Sequence, residues 1–221
     1  MLQGISTTIQ LGVICWVLAL LLGITIGTFR VSPWRPLRIF AAAYTEFFRD
    51  IPLLVQLFFW YFAAPRILPR SVELYLYHEV TNVEFWVVVI GLSIYTSSRV
   101  AEQIRSGIQS IHTDQFHAAL STGLSHIQMY RYVIIPLAIR IMIPPLTTEF
   151  LTTFKNTSLA MTVGVLEATF MSQQIEAYTF HGLEATTGAS LVYLIITMMI
   201  LLIMGQVEKR LTVPGMIARN R

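Results

Sequence analysis

Apolar residues in this chain gather into long runs rather than alternating with polar ones. From Met1 to Phe29 no residue is charged, and Ala185 to Val207 is a second run without charge. At 1.5 Å per residue, a helix over 5–29 is about 38 Å long, enough to cross a bilayer core with tilt. A cleavable leader places positive charge ahead of its apolar run, whereas here Arg30, Arg35 and Arg38 follow it. The pattern predicts an uncleaved membrane helix over 5–29 and another over 185–207. Three further spans, each interrupted by charge, are predicted at 39–65, 84–105 and 132–155. Apolar Met161–Leu166 either extends the fourth or re-enters the membrane. The expected fold class is an all-α integral membrane protein, a single domain over 1–221 with about five transmembrane helices.

Charge orients these spans. With the N-terminus outside, the inner segments hold Arg30, Arg35, Arg38, Arg99, Arg105, Arg131, Lys209, Arg210, Arg219 and Arg221. The outer segments hold Arg66 and Arg70. That bias fits the positive-inside rule, and an odd number of helices then puts the C-terminus inside. Five spans do not divide into two equal halves, so a two-fold transport path needs a second subunit.

Composition agrees. Hydrophobic residues make up 55% of the 221 and charged ones 12%, about half the charge of an ordinary soluble domain, so lipid is part of the solvent. Disorder is excluded by the same figures. The one cysteine, Cys15, excludes a disulfide framework. A net charge of +3 spread between apolar runs serves topology rather than nucleic acid. Neither Lys155 nor Lys209 sits in a phosphate-binding loop. No nucleophile–base pattern or metal-ligand spacing stands out, so no catalytic residue and no metal site is expected.

Charged and polar groups inside spans are the candidate binding chemistry, because a charge in lipid costs roughly 2.5–3.5 kcal/mol unless it meets a partner or a cavity. Lys155 is followed by Asn156, Thr157 and Ser158, and together they offer an ammonium, an amide and hydroxyls to a carboxylate. The alternative for Lys155 is a pair with Glu149. Arg99 is a second candidate, with an intrahelical pair to Glu102 as its alternative. Gln56 is a third, or else a helix-packing glutamine. Glu149, with Thr147 and Thr148, suits a substrate ammonium or a pair with Arg140 or Lys155. Arg49 and Asp50 precede Pro52 and predict a kink with paired charges. Gly23 and Gly27 predict close helix packing. The group Phe58–Phe62 predicts an outer membrane interface and Trp34 and Tyr44 an inner one.

The segment at about 106–131 is too polar to span. Asp114 is placed to cap a helix over 115–122 that stops at Gly123. A short helix ending at glycine with small residues on one face suits docking into a partner's groove.

His117-Ala118-Ala119, three residues, Gly123, then nine residues to Val133, Ile135 and Pro136 resembles the EAA loop of ATP-binding-cassette importer permeases, E-A-A-x3-G-x9-I-x-L-P. Glu46–Gln56 is similar to that family's E-x-F-R-x-x-P-L-L-V-Q stretch, and Ala101–Gln109 to its A-E-x-x-R-x-G-I-Q. Pro144–Phe150 and Lys155–Leu159 match its polar amino acid branch, with glutamate/aspartate permeases nearest in pattern. His117 departs from the usual glutamate, so that acid's charge role is not carried over.

The resemblance implies an inner-membrane permease working by alternating access, with no cofactor in this chain. ATP and magnesium would belong to a cytoplasmic ATPase dimer that docks on His117, Ala118, Ala119, Gly123 and Leu124. It further implies a second permease subunit, expected to be a paralogue forming a heterodimer, and an extracytoplasmic amino-acid-binding protein. A stand-alone ion-coupled amino acid transporter is the rival reading, since intramembrane charges suit it equally.

Overall fold

The first uncharged run becomes one helix, α1 (Leu2–Arg30). The computed structural model describes residues 1–211; Arg219 and Arg221, counted above among the inner positives, lie outside the described residues. After a short turn come α2 (Arg35–Asp50) and α3 (Leu53–Ile67). Then follow α4 (Arg70–His78), α5 (Val83–Gln109) and α6 (Thr113–Ser121). The remainder is α7 (His126–Val163), α8 (Ala168–Thr179) and α9 (Gly182–Leu211). Four of these helices are long and apolar enough to cross a membrane, or five if the bent pair α2–α3 is one span.

The second span, expected over 39–65 with a kink at Pro52, is broken there into two helices. It begins at Arg35 and bends by 100° between Asp50 and Leu53. Proline disfavours helical geometry in the residue before it, and Ile51 is extended at φ −88°, ψ 129°. The break strands carbonyls at the end of α2. Gln56 satisfies two of them, its Nε2 donating to Phe48 O at 2.6 Å and Ile51 O at 2.9 Å.

α1 and α5 are the central pair, flanked by α2 on one side and α7 on the other. Gly23 and Gly27 let the two backbones close. A Cβ on Gly23 would stand 3.1 Å from Ser97 O, and one on Gly27 3.0 Å from Ala101 O. Leu11, Cys15, Leu57, Val88, Leu92 and Val163 form one core cluster. Val100, Ile104, Ala119, Met129, Ile134 and Met142 form a second, toward the α6 end. At that end Arg30 donates to Glu102 at 3.1 Å and pairs with Glu46 at 3.4 Å, tying α1 to α5 and α2.

α7 is not uniform. A π-helical turn, Tyr130–Ile134, interrupts it near its start, and its last residues, Thr157–Val163, tighten into a 3₁₀ helix. Met161–Leu166 is therefore divided: the 3₁₀ turn takes its first residues, and Gly164 at φ 90° stops the helix. α3 carries a second π-helical turn at Phe59–Ala63. α9 buries few residues, leaving Leu194, Ile195, Met199 and Leu202 more than half exposed.

Candidate functional site

Lys155 lies in the last turn of the α-helical part of α7 and lines a cavity of about 280 Å³. It is exposed and makes no ion pair among the described residues. Ser158 follows one turn later on the 3₁₀ segment and lines the same cavity. Thr169 and Ser172 reach it from α8, and Thr186, Ser190 and Tyr193 from α9. Three of these hydroxyls rest on helix carbonyls: Ser158 on Lys155 O and Ser172 on Thr169 O at 2.8 Å, and Ser190 on Thr186 O at 2.9 Å. A hydroxyl rotor can turn from such a carbonyl to an incoming acceptor. One cation among five aliphatic hydroxyls and a phenol is chemistry for a carboxylate.

Asn156 is half-buried beside this cavity but does not line it, and Thr157 is buried with its hydroxyl on Phe154 O at 2.7 Å. Of the α7 residues that the sequence marks, Lys155 and Ser158 line the cavity, and nothing in the sequence marks its α8 and α9 wall. Nothing in linear spacing joins Thr169 or Tyr193 to Lys155; the turn at Gly164 does.

Behind the cavity sits Glu167, fully buried between α7 and α8. Its carboxylate caps α8, accepting from Thr169 N at 2.8 Å and Phe170 N at 2.7 Å. Tyr193 donates to it at 2.6 Å. Burial pushes the Glu167 carboxyl above its ordinary range, and these hydrogen bonds oppose that shift without cancelling it. α1 closes the far side, where Thr8 Oγ1 accepts from Ala168 N at 3.1 Å.

Arg99 and Glu149 find each other instead of the partners the sequence offered. Arg99 Nε donates to Glu149 Oε2 at 2.7 Å and Nη2 to Oε1 at 3.1 Å, across α5 and α7. Glu149 is 4% exposed, so its carboxylate is committed to Arg99 and not to Lys155 or Arg140. Glu102 pairs with Arg105 and Arg30 rather than with Arg99. Ser97 bonds Tyr44 at 2.7 Å and Ser98 its own helix, and Arg99 donates to Glu149 rather than to either hydroxyl. Arg49 lies 3.7 Å from both Asp50 and Glu102, which pairs the charges at the kink. Gln56 is 4% exposed with its amide nitrogen spent on the broken span. Arg99, Glu149 and Gln56 lie apart from the Lys155 cavity lining.

α6 starts two residues earlier than Asp114 implied. His112 is its cap, accepting from Asp114 N through Nδ1 at 3.4 Å, because the imidazole nitrogen does the work assigned to the aspartate. Gly123 at φ 83° ends the turn, a conformation suited to glycine. His117, Ala118 and Gly123 are exposed, while Ala119 is buried and Leu124 half-buried in the Met129–Ile134 core. Ala119 and Leu124 therefore anchor α6 to the span beneath it. No group of three or more His, Cys, Asp or Glu side chains assembles for a metal among the described residues.

Residues 19–213 match the family described as binding-protein-dependent transport system inner membrane component. The chain is 36% identical over 215 residues to the glutamate/aspartate import permease protein GltJ of Escherichia coli K12, covering 96% of this chain and 87% of that one. It is 32% identical to the probable glutamine ABC transporter permease protein GlnM of Bacillus subtilis 168, covering 95% and 92%. Among solved structures, an amino acid ABC transporter crystallised with histidines superposes with a TM-score of 0.83 at 29% identity, covering 95% of this chain and 92% of the other.

Proposed function

Because the chain belongs to the binding-protein-dependent transport system inner membrane component family, and is thus a non-enzymatic, inner-membrane permease of an amino acid ABC importer, we propose that its cargo is glutamate or aspartate. The observation that carries this reading is the contrast between two charges. Glu149, the acid best buried near the span centre, is neutralised by Arg99. Lys155 has a cavity of about 280 Å³ and no acid partner among the described residues. The cavity is thus cationic, and a second carboxylate on the substrate gains from it what a neutral side chain does not. The likeness to GltJ points the same way.

In this reading Lys155 and Ser158 hold the side-chain carboxylate, with Thr169 and Tyr193 shaping the wall. Asn156 and Thr157 support the tight turn. Arg99, Glu149 and Gln56 act as scaffold. The N-terminus is outside, which puts the Lys155 end of α7 toward the binding protein and α6 in the cytoplasm. A paralogous permease packs on the exposed apolar face of α9. The ATPase dimer, with its ATP and magnesium, docks on His117, Ala118 and Gly123. ATP-driven closure of that dimer moves α6 and, through Ala119, the base of α7, exposing the cavity alternately to each side.

The test is uptake of labelled glutamate into proteoliposomes holding this chain, its partner permease, ATPase and binding protein. Unlabelled aspartate, glutamine, histidine and arginine compete in parallel. ATP-dependent uptake blocked by aspartate alone is the expected result. Stronger competition by glutamine or a basic amino acid would discard the acidic cargo and keep the importer.

A further inference from the structure

A second polar cavity, of about 330 Å³, opens at the same end of the molecule. Gln3, Thr7 and Gln10 line it from one face of α1, and Asn82 and Glu84 from the start of α5, with Trp86 as part of its wall. Val165 and Leu166 complete it. The next two residues of that segment, Glu167 and Ala168, belong to the wall behind the Lys155 cavity. The stretch from Gly164 to Ala168 thus stands as a partition with a polar cavity on each side. α1 braces it: a Cβ on Gly4 would meet the Glu167 carbonyl at 3.0 Å.

The two cavities have opposite charge. Lys155 is the charged group of one, and Glu84 of the other. Glu84 is half-buried and has no ion-pair partner among the described residues. Gln10 donates one amide hydrogen to Ser6 at 3.1 Å, which leaves its carbonyl oxygen as an acceptor. The Asn82 side chain does not cap α5 and is uncommitted. The aromatic wall adds attraction for a cation. A carboxylate, amide oxygens and an indole around a space of this size suit a primary ammonium group.

We propose that this outer cavity is a reception subsite for the ammonium group of the transported amino acid, with Glu84 as its counter-ion and Gln10 as a second acceptor. The proposal rests on the importer reading above. The amino acid is held there by its ammonium before passing the Gly164–Ala168 partition, beyond which Lys155 takes a carboxylate.

The experiment is equilibrium dialysis of the permease–ATPase complex in lipid nanodiscs, without the binding protein, against labelled L-glutamate and labelled glutarate. Glutarate has the same carbon skeleton and two carboxylates but no ammonium. The complex is expected to retain glutamate more tightly than glutarate. Glu84→Gln is expected to weaken glutamate about tenfold and leave glutarate unchanged, the loss of one charge-assisted contact. Glu84→Asp, which keeps the charge, is expected to keep the preference and guards against a folding artefact. A glutamate preference that survives Glu84→Gln overturns the proposal, as does an equal loss in Glu84→Asp. If Glu84→Gln instead weakens only capture of the binding protein, Glu84 is a docking group for a basic surface and the subsite is again refuted. If the complex retains glutamine rather than glutamate, the acidic cargo fails by itself. The same comparison with glutamine and its desamino analogue then decides the ammonium subsite.

Discussion

Arg99 reaches fifty positions along the chain to hold Glu149 with two hydrogen bonds, of 2.7 and 3.1 Å. The pair joins α5 to α7 in the middle of the bundle. Removing one partner from a buried pair leaves an uncompensated charge, and replacing both leaves none. Arg99→Ala is expected to destabilise the solubilised complex by about 3 kcal/mol, because Glu149 has almost no access to solvent. The double replacement Arg99→Met with Glu149→Leu is expected to recover most of that loss. Thermal melting of the four species of the cycle measures it, and a double variant as weak as the single one would contradict the account.

Under the proposed function, Lys155→Ala is expected to cut ATP-dependent glutamate uptake at least about tenfold while the complex still assembles, since the proposed charged contact to the substrate would disappear. Lys155→Arg should retain part of the rate. Initial uptake rates, with assembly checked by size exclusion, decide it. Unchanged uptake in Lys155→Ala would remove this residue from the path.

The sequence made some of this legible and hid the rest for physical reasons. α1 and α9 could be read because an uncharged run of membrane length has no other stable state in water. The kink at Pro52 could be read because proline acts locally. Its size could not, since 100° depends on what Gln56 and the neighbouring helices hold in place. The Lys155 end of the site was legible, as a cation in a span announces itself. Its opposite wall was not, because Thr169, Ser172 and Tyr193 are ordinary residues until Gly164 folds α8 back. The motif marks Ala119 as a docking residue, and the structure buries it; small size serves equally a partner's groove and the chain's own core.

That division of α6 gives a paired prediction. Ala118→Asp is expected to lower ATPase stimulation by the permease without changing its melting temperature. Ala119→Asp places a charge in the core and is expected to cost about 3 kcal/mol or more. Equal melting of both variants would show that α6 does not pack as described.

Gly27→Ala puts a methyl 2.8 Å from Ile104 Cβ and 3.0 Å from Ala101 O. The backbones of α1 and α5 must separate, at about 1–3 kcal/mol. Gly205→Ala, on α9 with nothing within 4 Å, is expected to be neutral or slightly stabilising. Melting temperatures of the two variants, taken together, test the closeness of the central pair.

Glu167 gives a pH dependence with a definite sign. Its carboxyl in the folded chain lies above the unfolded value because of burial. Its contribution to stability is therefore complete below the unfolded value and is lost as pH rises through the folded one. Relative to wild type, Glu167→Gln should gain stability as pH rises across that window and level off above it. Melting curves of both proteins from acid to neutral pH test this, and a difference independent of pH would refute the shift.

The π turn at Tyr130–Ile134 carries a consequence for registry. A π turn accommodates one residue more than the α-helical ladder needs, and each residue of an α-helix advances the azimuth by about 100°. The side chains before it, His126 and Met129, are thus out of phase with those of Ile135–Asn156 by roughly that angle. Met129 is what seats Ala119 and the rest of α6. The direction in which this chain presents α6 is set by a count of residues, and deleting a single one between 130 and 134 would swing that helix around the axis of α7 while leaving every residue of α6 unaltered.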